Sequence, residues 1–202
     1  MLVDYSVELG RDDPIMEFPW SSSDGQLLYY DLKSDPSLIA SIPEAKPFPD
    51  FQAFLLRVNA TAQLLTSKCD VWSTQELKPE EELFGAQWKF GCYVDLLFSP
   101  ELICSEGVLL PSDAERMRLA AHQQFAEAVC ALLARVPEMP ASIELVIRPC
   151  LFHGAAPEHG SHGFGITTYL FGFGQTQEAA CRQWLIALKL LQNAILQILA
   201  KK

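Results

Sequence analysis

At the start of the chain, apolar Val3, Tyr5, Val7 and Leu9 alternate with polar Asp4, Ser6 and Glu8. A two-residue period places one set of side chains on each side of an extended chain, so 3–9 predicts a half-buried strand. After the turn-forming SSSDG, QLLYYDL at 26–32 predicts a second strand. Prolines recur from Pro36 to Pro49. Each locks φ and removes an amide donor, so this interval reads as irregular connection. The period then changes to three and four. Phe51, Leu55, Val58, Ala62 and Leu65 share one face, which predicts a helix over 50–65 with Asp50 as its cap.

KCDVWSTQE reads as a strand, followed by an acidic turn around Pro79 and a longer strand, QWKFGCYVDLLF. In the longer strand Trp88, Phe90, Cys92, Val94, Leu96 and Phe98 fall on one side and supply core. SDAE at 112–115 has the form of a capping box, with Ser112 accepting an amide hydrogen bond and Glu115 reaching back. The helix it opens carries Met117, Ala121, Phe125, Ala128, Leu132 and Val136 on one stripe and stops at Pro137. SIELVIRPCLF and GITTYLFGF predict an outgoing and a returning strand, with Pro149 marking an edge or a bulge. Gly172 and Gly174 leave room for a close junction with a final helix over 175–200, whose stripe is Ala180, Trp184, Leu188, Leu191, Ile195 and Ile198.

From residue 50 the order is helix, two strands, helix, two strands, helix. This predicts an α+β fold, an antiparallel sheet with helices packed mainly on one face and the N-terminal strands extending the sheet. The repeated order is compatible with a duplicated strand-strand-helix arrangement, and two small ββα units side by side are the alternative. The length predicts one compact α+β domain over 1–202, with N-terminal strands and a Pro-rich connection in 1–49 and a helix and hairpin core in 50–202.

Half of the residues are apolar and a fifth are charged, which excludes extended disorder. The net charge is −10, and residues 1–100 carry 16 acids against 7 bases while 101–202 carry 9 against 8. An acidic surface repels phosphates and anionic lipid, so neither nucleic acid nor membrane is expected as a partner, while a basic protein surface is permitted. The N-terminus shows no basic segment followed by an apolar signal core. WLIALKLLQNAILQILA is interrupted by Lys189, Gln192, Asn193 and Gln197, which favours a packed helix over a membrane span. Six cysteines without a CxxC pair, most of them in apolar strands and helices, read as reduced thiols and point to the cytoplasm. Cys104, in a connection, is the one expected to be exposed.

The densest chemical cluster is CLFHGAAPEHGSHGFG at 150–165, which holds three of the four histidines. His153, His159 and His162, with Glu158 as a fourth ligand or a hydrogen-bond acceptor, could hold zinc or another divalent transition metal. The spacing matches neither a helical HExxH site nor a paired-cysteine site, and a polar hairpin turn shaped by Gly154, Gly160, Gly163 and Gly165 explains it without a cofactor. His122 reads as a surface histidine and Glu80, Glu81 and Glu82 as a solvated turn. No spacing identifies a nucleophilic triad.

The final helix is apolar well beyond its stripe, at Ile186, Ala187, Leu190 and Ala194. Such a girdle must be buried within the chain or against a protein partner or a second copy, with Trp184, Leu188, Leu191, Ile195 and Ile198 as the contact residues. Trp20, Tyr29 and Tyr30 either seal the core or form a further recognition surface. These features predict a noncatalytic cytoplasmic protein-binding or assembly protein, acting with a protein partner or as a homodimer. The alternative is a metal-dependent small-molecule enzyme built on the His-rich hairpin.

Overall fold

A computed structural model describes residues 1–21, 25, 28–78, 83–99, 111–153 and 161–200. The described residues form a seven-stranded mixed sheet and three α-helices, an α+β fold. The strands are β1 (Leu2–Val7), β2 (Met16–Phe18), β3 (Leu64–Val71), β4 (Gln75–Glu76), β5 (Trp88–Phe98), β6 (Ala141–Phe152) and β7 (Ser161–Gly174). The helices are α1 (Pro49–Asn59), α2 (Pro111–Leu133) and α3 (Gln177–Leu199), with a short 3-10 turn at Pro36–Ser41. The sheet order is β1-β6-β7-β5-β3, with β2 also on β6 and β4 on β5.

The sheet departs from the purely antiparallel arrangement at one edge, where β1 and β2 both run parallel to β6. β1 covers Ser142 to Ile147 of β6 and β2 covers Cys150 to Phe152. They are two halves of one edge strand, separated by an excursion over 8–15 that turns at Gly10, where the Asp13 carboxylate accepts from the Gly10 amide at 2.6 Å. Pro149 lies within β6, paired with Phe164 of β7, and falls opposite the break between β1 and β2. The proline is therefore neither on an edge strand nor in a bulge. Of QLLYYDL, the described residues 28–32 make an isolated bridge from Leu28 to Ser21 and no strand. Downstream, the Asp31 carboxylate gathers the amides of Lys33 and Ser34 and folds the chain into a turn instead.

The three helices lie on one face of the sheet. The alternate β5 residues Phe90, Cys92, Val94, Leu96 and Phe98 join Ile143, Leu145, Ile147, Ile166 and Leu170 in a core closed by all three helices. Trp184 of α3 is its centre, fully buried among the rings of Phe90 at 4.8 Å, Phe48 at 5.6 Å and Phe51 at 6.2 Å. Its indole Nε1 donates to Cys92 Sγ at 3.2 Å, so the one polar atom of the ring is satisfied. α3 reaches this depth because Gly172 and Gly174 leave no Cβ between β7 and the helix backbone at Ala180 and Trp184.

Two helix boundaries differ from the pattern. α1 ends at Asn59, and Leu64 and Leu65 begin β3. The buried Asn59 amide donates to Leu55 O and to Thr66 Oγ1, and its oxygen accepts from Thr66 N, which ties the helix end to the strand. The first residue position outside α1 is Phe48, and Asp50 lies within the first turn, paired with Lys189 at 3.1 Å. On α2 the buried stripe is His122, Phe125, Ala126, Val129 and Leu133, while Met117 is 61% exposed. Treating His122 as polar rotates the expected stripe by about one position. The imidazole is in fact 2% exposed, edge-on to Phe98 at 4.6 Å, with Nδ1 bonded to Arg118 O at 2.7 Å.

Candidate ligand cleft on the helix-free face

The residues between the core positions of each strand point to the opposite face, which no described helix covers. Strand register arranges them in rows. One row runs Asp4, Glu144, Tyr169, Tyr93, Asp70, and the next runs Ser6, Val146, Thr167, Asp95. At Asp95 the ladder with β3 is irregular, since its neighbours Val94 and Leu96 pair with Cys69 and Thr66 and leave Ser67 and Lys68 opposite one residue. A β-bulge of this kind re-aims a side chain and increases local twist. Here it brings Lys68 to the helix-free face beside Asp95, where its ammonium stands 5.2 Å from the Trp20 ring centre.

These rows floor a cleft of about 410 Å³. Asp95, Thr167, Tyr93 and Tyr169 form its base, Lys68 and Arg148 its cationic sides, Ile15, Met16 and Trp20 an apolar wall, and Glu17 an acidic point on its rim. The wall comes from the excursion between β1 and β2, the first residue of β2 and the segment that follows β2. Size and composition are those of a small-molecule site: a concave, partly apolar surface with a few convergent polar groups. A groove of about 240 Å³ between α1 and α3 is lined by Asp50 and Lys189, which already pair with each other. A void of about 30 Å³ behind Trp20, near Tyr30 and Cys69, has room for about one water.

Asp95 is 8% exposed. Thr167 donates to its Oδ1 at 2.7 Å, and that is its one hydrogen bond among the described residues. Burial pushes the carboxyl up to about 6, partly opposed by the Thr167 hydrogen bond and by the charges of Lys68 and Arg148. Arg148 is held in place by Glu8, which accepts from Nε at 2.8 Å, and by Tyr169, whose hydroxyl accepts from Nη1 at 3.1 Å. Its guanidinium also lies 5.7 Å from the Tyr169 ring centre. The Tyr93 hydroxyl is pushed up by burial and by the nearby carboxylates Asp95 and Asp70, so it stays protonated and can donate. Burial likewise raises the thiols of Cys92 and Cys150 to about 12 and that of Cys130 to about 11, which removes their nucleophilic form near neutrality.

Beyond the cleft the same face carries an aromatic strip. Trp72 stacks at 5.4 Å on Phe171 and 6.3 Å on Tyr169, and tilts against Tyr93 at 5.8 Å. Gly91 makes the strip flat, since the Phe171 ring occupies the place of its Cβ.

Of the residues singled out from sequence, Trp20 lines the cleft. Tyr29 packs edge-on to Phe18 at 4.7 Å with its hydroxyl 3.4 Å from Asp31, and Tyr30 borders the small void. Trp184, Leu188, Leu191 and Ile195 are covered by the sheet and helices of this same chain, and Ile198 is partly buried with them. Internal packing therefore occupies the surface expected to meet a partner, and the large apolar side chain that α3 leaves exposed is Ile186, at 47%. In the His-rich hairpin, Glu158 and His159 lie outside the described residues. His153 is exposed with Nε2 3.6 Å from Glu17 Oε2, and His162 is exposed on β7 opposite Leu151. Among the described residues no three His, Cys, Asp or Glu side chains group as metal ligands. Cys104 and the acidic run at 80–82 also lie outside them, as do the side chains of Ser112 and its neighbours.

Sequence reading missed Asp95, Lys68, Arg148, Thr167, Tyr93 and Tyr169. The available signal was a lone charge inside an otherwise apolar strand: Asp95 in YVDLLF and Arg148 in LVIRPC. No protein-family model, curated protein or solved structure matches the chain. No helix among the described residues is long and apolar enough to cross a membrane.

Proposed function

We propose that this chain is a binding protein that takes a small polar molecule into the cleft on its helix-free face. The observation that supports this most strongly is Asp95. A carboxylate in the middle of a sheet, 8% exposed and without an ion-pair partner within 4 Å among the described residues, destabilises the fold that holds it. A perturbed acid at the floor of a concave site is a marker of function, because a ligand can supply the missing partner. The reading keeps the expectation of a noncatalytic binding protein, replaces the protein partner expected from sequence with a small molecule, and moves the surface from the last helix to the open side of the sheet.

The test is a titration of ¹⁵N-labelled protein with single compounds from four classes: amino acids, hydroxy acids, monosaccharides and nucleosides. The expected result is a saturable shift of amides in β2, around Lys68, in the centre of β5 and at Arg148 to Tyr169, with the compound recovered unchanged. Shifts confined to other surfaces, or no shift with any class, would refute the reading. Conversion of the bound compound would replace it with an enzymatic one.

A further inference from the structure

We propose that the cleft is built for a zwitterion carrying one ammonium and one carboxylate, a free amino acid with an apolar side chain. This rests on the cleft being the ligand site, and it is argued from the hydrogen-bonding capacity left unused there.

Asp95 can only accept when ionised, and Thr167 occupies one of its oxygens. The other oxygen calls for a donor, and a charged donor offsets the desolvation of the carboxylate far better than a hydroxyl does. Opposite it the supply is of donors. Lys68 Nζ rests over Trp20 with no carboxylate within 4 Å among the described residues. Arg148 has committed Nε and one hydrogen of Nη1, which leaves Nη2 and the second Nη1 hydrogen. Tyr169 accepts from Arg148 and keeps its own proton to give. Such a set receives a carboxylate.

Charge balance narrows the class further. Arg148 is already paired with Glu8 at 2.8 Å, and Glu17 stands at the rim, 61% exposed and 3.6 Å from His153, so the charges left inside the cleft are the buried Asp95 at its floor and the exposed Lys68 at its side, one of each sign. A dicarboxylate or a diamine would set a like charge against one of them, and a neutral sugar would leave both unmatched. A zwitterion matches both. Its side chain then lies along Ile15, Met16 and Trp20, the apolar wall of the cleft.

Four compounds separate the contributions: L-phenylalanine, 3-phenyllactate with a hydroxyl in place of the ammonium, 3-phenylpropionate with neither, and phenethylamine without the carboxylate. By calorimetry on the full chain, phenylalanine should bind at least about tenfold more tightly than each of the other three, since a site built for a polar group rejects analogues that lack it. Its affinity should fall about tenfold from pH 7 to pH 5 as Asp95 takes up a proton, while that of phenyllactate should not. The groups around Asp95 are Glu17 from β2, Lys68 and Cys69 from β3, Tyr93 on its own strand, Arg148 and Cys150 from β6, and Thr167 and Tyr169 from β7. His153→Gln controls for the imidazole beside Glu17 at the rim. Asp95→Asn should bring phenylalanine down to phenyllactate, and Lys68→Gln should weaken phenylalanine without changing phenethylamine.

Phenyllactate or phenethylamine binding as tightly as phenylalanine, or indifference of phenylalanine to both substitutions, would overturn the zwitterion assignment. If none of the four binds while a monosaccharide or nucleoside shifts the cleft amides, the assignment fails and the cleft remains a ligand site. If no compound of any class does so, both fail.

Discussion

Replacing Asp95 with asparagine should make the protein more stable at neutral pH, an unusual direction for a substitution in the middle of a sheet. The carboxyl ordinarily titrates near 3.8 and in the fold is pushed up to about 6. A raised value means that the folded state binds the extra proton more tightly than the unfolded chain. The contribution of Asp95 to stability is therefore full below its ordinary value and is lost as the pH rises through about 6. A rise of that size corresponds to a penalty of roughly 3 kcal/mol on the ionised form, against an aspartate left in water. Asparagine carries no charge, has nearly the same shape, and can still accept from Thr167 Oγ1 through its own carbonyl. The gain should thus approach roughly 3 kcal/mol at pH 7.5 and shrink below about 1 kcal/mol at pH 4. For a chain of this length that is roughly 6–12 °C in Tm at the higher pH. Paired urea denaturation of both proteins across pH 4 to 8 measures it. An asparagine variant that is less stable at pH 7.5, or shifted equally at both ends of the range, would refute the claim that an incompletely compensated buried charge sits at Asp95.

Two further expectations test the framework that positions the cleft. Gly172→Ala would drive a Cβ into the backbone of α3 at Trp184 and Ala180, so the helix must lift from β7. A loss of about 3 kcal/mol or more is expected in urea unfolding, and a loss under about 1 kcal/mol would show that α3 is not seated as described. His122 is buried, its Nε2 makes no hydrogen bond of normal geometry among the described residues, and burial lowers its pKa against the opposing pull of the Arg118 and Phe164 backbone. A lowered imidazole stabilises the fold above its ordinary value and loses that contribution as pH falls through it, so His122→Leu should lose less stability than wild type between pH 7.5 and 5. An identical pH slope in both proteins would count against it.

Periodicity carried most of the fold because each strand and helix had one face to hide. In β5 the alternation from Trp88 to Phe98 marked the core face residue by residue, and those side chains now meet all three helices. Gly172 and Gly174 announced the close approach of α3. The misreadings came where local pattern is outweighed by distant pairing. β1 alternates as either a parallel or an antiparallel strand would, and its neighbour, β6, lies about 140 positions away in sequence. Tyr29 and Tyr30 look like strand residues, but the Asp31 carboxylate captures the amides that follow and turns the chain. His122 reads as a surface residue because imidazole is polar on average, although its ring is apolar enough to pack against Phe98 and Phe164 when one nitrogen finds a carbonyl.

The cleft was hidden for a different reason: two of its determinants are irregularities in pairing. Had β1 continued unbroken into β2, the edge of β6 would be covered by a regular strand, and Pro14 and Ile15 would belong to a ladder instead of a wall. Had β3 paired with β5 without its extra residue, the strict two-residue period would place Ser67 beside Asp95 and turn Lys68 toward the helices. Neither a break opposite Pro149 nor a bulge at Lys68 alters hydrophobic spacing enough to be read from one chain. A regular sheet with the same core would bury the same apolar side chains and leave near Asp95 only Arg148, a cation already paired with Glu8, among the described residues. The departures from regularity thus add little to the core and supply the two features on which the proposed recognition at Asp95 depends, an apolar wall and an ammonium.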